Sequence, residues 1–276
     1  MEELIICNAP VPGEKQEEKF PGTLNTVNEV VGAFKAGAAI SHLHVRDENL
    51  LQTVDTRLFR RDVEQIHKLC PIIIEGSTGG APEHTLDQRC VSFNVPGIEM
   101  GSLNLGSINM YDGVYNNKWD DIIFYAGKLK EKKIKPFLIV FDLSHFSAIE
   151  KLEKLDLISP PYIMLLVFDV PNTLQYSDKY LKLMLSELPK GTIWFLVRHH
   201  AKGAVDFEKA FELGGHIRVG YEDGPFVSNG KRAPSNIQLV EDIVAAAPKY
   251  GRKVVTPERT RELFGLKKNY RKSGIK

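Results

Sequence analysis

The stretch AGAAISHLHVRD, residues 36–47, decides the fold. A segment with helical periodicity, Thr26–Ala36, runs into it. Gly37 then stands where a left-handed cap before the next element requires a glycine. Ala39–Val45 follows as a short strand, and its far end is polar: Ser41, His42, His44, Arg46, Asp47. Helix, glycine cap, strand and polar strand end make up one repeating unit, which recurs on both sides. Strands are expected near Leu4–Asn8, Ile72–Glu75, Ile98–Asn104, Phe137–Phe141, Tyr162–Phe168, Ile193–Val197 and His216–Tyr221. Helical periodicity fills Leu58–Leu69, Asp120–Lys133 and Val205–Leu213, the last followed by Gly214 and Gly215.

Several of these strands are unbroken apolar runs (IIIE at 72–75, FLIVF at 137–141, YIMLLVF at 162–168), the pattern of a parallel sheet covered on both faces. Eight strands alternating with helices predict an α/β fold, a (β/α)8 TIM barrel; a doubly wound open sheet is the competing arrangement. Asn236–Ala246 is read as the helix that closes the ring after strand eight. Thr256–Leu266 is a further short helix with Thr256 as N-cap and Pro257 at its first position. No change of composition divides the chain, so residues 1–276 are read as one barrel domain with a short C-terminal helical extension.

The 276 residues suit one such barrel. Lys plus Arg (36) and Asp plus Glu (35) nearly cancel, so no overall field draws nucleic acid or an anionic membrane. The basic cluster Lys267-Lys268-Asn269-Tyr270-Arg271-Lys272 is read as a solvated tail. No apolar run is long enough to span a bilayer, and MEELIICNAP is unlike a signal peptide. The three cysteines, Cys7, Cys70 and Cys90, show no paired spacing and fit a reducing cytoplasm.

In a barrel of this kind the carboxyl ends of the strands build the active site. His42 and His44 lie two apart on a strand, so they project to one face, and helices outside leave the interior as that face. Glu222, at the end of strand eight, shares even strand parity with them. Two histidines and one carboxylate leave a coordination position open, as in a catalytic zinc site, although Fe(II), Mn or Co accept the same ligands. The bland alternative is a pair of hydrogen-bonded core histidines. Gly220 and Arg218 precede Glu222 by two and four residues. A guanidinium inside a barrel needs a carboxylate, and Asp223 is the natural partner and a candidate general base. A purely structural Arg–Asp pair is the competing reading. Ser77-Thr78-Gly79-Gly80 offers two hydroxyls and glycine backbone amides to a small anion. Ser102 and Asn104 line strand four, Asp142 ends strand five, and His145, His199 and His200 follow strands five and seven. His67 and His84 read as surface residues, and His216, at the opposite end of strand eight, as structural. Nothing resembles a nucleotide-phosphate loop.

With these residues in place, the chain resembles the β-keto acid cleavage enzymes. The matching segments, in order, are AGAAISHLHVRD (36–47), IIIEGSTGG (72–80), IEMGSLNLGSIN (98–109), IKPFLIVFDLSH (134–145), GGHIRVGYEDG (214–224), SNIQLVEDIV (235–244) and GRKVVTPERTRELFGL (251–266). The resemblance implies a zinc-dependent barrel that turns a β-keto acid and acetyl-CoA into acetoacetate and a new acyl-CoA, by condensation and retro-Claisen cleavage. It implies His42, His44 and Glu222 as Zn2+ ligands and Asp223, Arg218 and Ser77 as catalytic residues. Ser102, Thr78, Gly79 and Asn104 become substrate-binding residues, with a homotetramer as the assembly. No lysine stands at a strand end inside the barrel, which disfavours a Schiff-base route.

Two departures bear on specificity. The aminohexanoate-cleaving members carry a glutamate after strand one that binds the substrate amine; Pro10 stands there, with Glu14 out of register. After strand seven the family has a Gly-x-Gly-Arg turn, where this chain reads Val197-Arg198-His199-His200-Ala201-Lys202-Gly203. A metal-dependent hydrolase of the amidohydrolase kind remains the competing enzyme reading, and a catalytically silent acid-binding barrel the competing non-enzyme one.

Overall fold

The computed structural model describes residues 2–11, 25–80 and 83–266. The basic cluster at 267–272 and Glu14 lie outside the described residues. Eight parallel strands close into a barrel in sequence order. They are β1 (Ile6–Asn8), β2 (Ile40–Leu43), β3 (Ile73–Gly76), β4 (Ile98–Asn104), β5 (Lys135–Val140), β6 (Ile163–Phe168), β7 (Ile193–Arg198) and β8 (His216–Val219). The pairing of β8 with β1 through Ile217 and Ile6 closes the ring and excludes an open sheet.

The expected helices form at Thr26–Ala36, Arg57–Leu69, Trp119–Lys132, Asn236–Ala246 and Pro257–Phe264. Gly37, at φ 124°, ends the first of these, its amide reaching back to the carbonyls of Ala33 and Phe34. Thr256 caps the last, accepting from the Arg259 amide. The continuous helix expected over Val205–Leu213 is instead a 3-10 turn, Ala204–Phe207, followed by a short α-helix, Glu208–Glu212. At the start of the segment the Asp242 carboxylate takes the amides of Ala204 (2.7 Å) and Ser228 (3.2 Å). A hairpin, Ile108–Met110 with Gly113–Tyr115, stands after β4 with no counterpart in the sequence reading.

Two apolar layers hold the barrel. The outer one lies between strands and helices. The inner one fills the barrel with Ile5, Ile40, Ile73, Met100, Phe137, Leu165 and Phe195. The floor, at the amino ends of the strands, is sealed by the C-terminal segment. There Arg252–Val254 pairs in parallel with Glu2–Leu4, and fully buried Phe264 packs on Phe195. With the floor plugged, the opposite rim is where side chains meet solvent and ligands.

Candidate metal centre and active site

His42 is the third residue of β2 and His44 lies just past its end, so the pleat sends both rings to the rim. Their centroids are 4.9 Å apart with the planes near perpendicular. Glu222 arrives differently from the parity expectation. β8 ends at Val219, and the chain turns at Gly220, where any Cβ would lie 2.0 Å from the Ala9 carbonyl oxygen. The turn then brings Glu222 over the histidines, with its amide bonded to that same carbonyl at 3.2 Å.

The three donor atoms form a nearly equilateral triangle. His42 Nε2 and His44 Nε2 are 3.1 Å apart, and Glu222 Oε2 lies 3.5 Å and 3.4 Å from them. With zinc–ligand bonds of about 2.0–2.1 Å, the edge of a tetrahedron is roughly 3.3 Å. The triangle therefore has the size of one face of a zinc site. Among the described residues these three form the one group of His, Cys, Asp or Glu with such spacing, and β6 and β7 add no ligand. That speaks against the amidohydrolase arrangement, which needs ligands from later strands.

The surroundings act differently on the three donors. Burial alone raises the Glu222 carboxyl, yet Arg218, His42 and His44 together hold it well below the usual carboxylate range. Burial likewise lowers the His42 imidazole, but Glu75 and Glu222 more than offset it. For His44 burial wins, and its ring is shifted down toward the neutral form a metal ligand needs.

Arg218, 6% exposed, donates from Nε (3.0 Å) and Nη2 (2.9 Å) to the two oxygens of Asp223, and again from Nη2 to Glu222 Oε1 at 2.6 Å. Burial opposes its charge, but Asp223 and Glu222 lift it well above its ordinary value. Asp223 is thus held in one orientation beside the histidine cluster. His199 Nε2 approaches its Oδ1 at 3.7 Å, and the His200 amide donates to its carbonyl at 2.7 Å.

The β3 loop forms the adjoining wall. Ser77 Oγ accepts from the Gly79 amide at 2.9 Å, so that amide is already engaged. Gly79 also leaves room for the candidate metal-site histidine: a Cβ there would press on the His44 ring at 3.0 Å. Thr78 donates to the Ser102 carbonyl, and Asn104 bridges Thr78 Oγ1 (3.3 Å) and the Tyr115 hydroxyl (3.1 Å). Ser102, expected to meet substrate, turns its hydroxyl to Glu75 Oε1 at 2.5 Å. Asp142 caps a 3-10 turn through Ser144, and buried His145 accepts from the Phe141 amide at 3.3 Å. His216 accepts from the Ile5 amide at 3.1 Å on the floor.

Two further residues of the site carry no motif in the sequence. Glu75, fully buried on β3, is hydrogen-bonded to His42 Nδ1. Asn236, at the start of the helix after β8, takes the Tyr221 amide at 2.9 Å and donates to the Pro10 carbonyl at 3.1 Å and to Glu29 at 2.9 Å. It thereby braces the turn that carries Glu222 and Asp223. A charge inside an apolar strand (IIIE) and a polar residue opening a helix were the available signals.

A family model described as beta-keto acid cleavage enzyme matches residues 4–266. The chain is 34% identical over 277 residues to the 3-keto-5-aminohexanoate cleavage enzyme of Fusobacterium nucleatum, with 97% of this chain and 100% of that one covered. It is 30% identical over 267 residues to the 3-oxoadipate:acetyl-CoA acetyltransferase of Cupriavidus necator, covering 95% and 93%. Among solved structures, ObcA in ternary complex with a C4-CoA adduct and oxalate superposes with a TM-score of 0.71 at 18% identity over 87% of this chain. The chain spans 66% of that ObcA chain, and the likeness is one of fold.

Proposed function

This chain belongs to the beta-keto acid cleavage enzyme family, and from that membership we propose that it exchanges acyl groups between a β-keto acid and acetyl-CoA at a divalent metal, zinc foremost, held by His42, His44 and Glu222. The observation that carries the reading is the triangle of three donor atoms, sized for one ion, with the Arg218–Asp223 pair beside it. The names of the relatives, among them an acetyl-CoA acetyltransferase, support the substrate pair.

A bound divalent metal supplies positive charge against the oxygen anion that develops on the keto acid. Asp223, oriented by Arg218, takes the proton from the carbon between carbonyl and carboxylate. That carbon forms a bond to the acetyl carbonyl of acetyl-CoA, and the CoA thiolate leaves. The thiolate then attacks the original keto carbon, the old carbon–carbon bond breaks, the carbanion so released takes back the proton held by Asp223, and acetoacetate and a new acyl-CoA depart. Ser77, whose hydroxyl hydrogen is not consumed by the Gly79 amide, donates to substrate oxygen at the rim. Thr78, Gly79 and Asn104 shape the adjoining wall, and Ser102 acts through Glu75. Pro10, after β1, brings no carboxylate for a substrate amine, and from that residue an uncharged tail is favoured over an aminated one. Assembly as a homotetramer belongs to the same proposal, and light scattering checks it.

The test is a panel of β-keto acids with metal-replete protein, following acetoacetate. Release that requires both acetyl-CoA and a keto acid is expected, strongest with uncharged tails. Turnover of a keto acid without any thioester overturns acyl exchange in favour of hydrolysis.

A further inference from the structure

A carboxylate with no exposed surface inside a β-barrel is costly unless its oxygens have partners. Each Glu75 oxygen has one, supplied by two neighbouring strands. Its Oε2 meets His42 Nδ1 from β2, and its Oε1 accepts from the Ser102 hydroxyl on β4 at 2.5 Å. Strand register produces this, because Glu75 lies directly opposite His42 in the β2–β3 ladder. Glu75 is sealed behind the imidazole, on the side away from His44 and Glu222, so it touches no substrate.

From this geometry we propose that Glu75 is the positioning residue of the metal centre, fixing the His42 tautomer and ring angle so that Nε2 presents its lone pair to the ion. The inference rests on the metal reading above. A carboxylate oxygen accepts but does not donate, so the contact places the His42 proton on Nδ1. Nε2 is then left bare, 3.1 Å from His44 Nε2 and 3.5 Å from Glu222 Oε2. A fixed ring loses less freedom when it binds, and a carboxylate behind an imidazole raises its basicity as a ligand. Ser102 holds the carboxylate from the other side, which gives that hydroxyl a role distinct from substrate contact.

The experiment is a zinc titration against a chromophoric chelator on wild-type protein, Glu75→Gln and Ser102→Ala, with thermal unfolding of each metal-free form. Glu75→Gln keeps the side-chain volume and relieves a buried charge, so the fold is retained, while its amide offers Nδ1 an N–H as well as an oxygen and so no longer dictates which ring nitrogen carries the proton. Zinc affinity should fall about 10- to 100-fold in Glu75→Gln, the usual effect of losing such a partner, and by less in Ser102→Ala. In wild-type protein, nitrogen-15 spectra should show His42 protonated at Nδ1 and bare at Nε2. A folded Glu75→Gln that binds zinc as tightly as wild type overturns the role of Glu75 alone, as does a proton found on Nε2. Wild-type protein without measurable zinc affinity overturns the metal reading itself and this inference with it.

Discussion

The rim and the floor of the barrel both bury arginines, yet they treat them in opposite ways. On the floor, Arg261 meets Glu99 in a two-pronged pair at 2.7 Å and 2.6 Å, with both side chains under 8% exposed. Nearby, Arg252 is 2% exposed and donates to the carbonyls of Glu3, Ala210, Phe211 and Gly215. Each positive charge there is answered by groups of the chain itself, which ties the C-terminal helix to β4 and the N-terminal strand. At the rim, three carboxylates, Glu75, Glu222 and Asp223, gather around one guanidinium, Arg218, and two imidazoles. Even with buried Arg46, which acts on His44, counted beside Arg218, the carboxylates outnumber the guanidiniums, an excess of the sign that a cation offsets. Balanced buried charge holds a fold together; unbalanced buried charge points to a ligand.

The contrast can be broken most severely at the rim. Glu222→Gln should lose bound metal and activity together, with turnover down about a thousandfold or more, given the several kcal/mol that a metal contributes. Asp223→Asn should keep the metal and still lose about 10²- to 10⁴-fold in rate as the proton acceptor disappears. Metal analysis beside initial rates checks both, and full turnover by metal-stripped protein breaks the comparison.

At the floor the same kind of change should act on stability alone. Glu99→Gln leaves Arg261 buried without its counter-charge and should cost about 3 kcal/mol or more in denaturant unfolding. The rate per folded molecule should stay at the wild-type value. A drop in that rate with unchanged stability would assign function to the floor.

The smallest effect sharpens the contrast through pH. Burial pushes the His216 imidazole down from 6.5 to about 3, and the Ile5 amide needs Nδ1 as an acceptor. Its contribution to stability is therefore complete above pH 6.5. It is lost as pH falls from there toward 3, because the unfolded chain takes up a proton that the folded one refuses. His216→Asn keeps an acceptor at the same position and should flatten the fall in Tm between pH 6 and pH 4. A wild-type slope in that variant would remove His216 from the acid response.

Much of this was legible beforehand where the deciding contacts are local. All eight strands lie within a few residues of their expected places, since buried parallel strands demand continuous apolar runs and helix ends demand Gly37-like caps. The hairpin at 108–115 was not legible, because its short, half-exposed strands carry no apolar run. His42 with His44, and Arg218 with Asp223, could be paired in advance because two and five residues separate them.

Sequence by itself thus determined the repeating strand–helix unit, the rim on which its polar ends fall, and the identity of the donor side chains. Only the tertiary structure decided that Glu222 reaches the histidines by a turn forced at Gly220, and that Glu75 stands behind His42 with the Ser102 hydroxyl bonded to it. The physical reason is register: a strand's own pattern fixes which face a side chain takes, but which neighbour it meets there depends on how the closed barrel staggers one strand against the next.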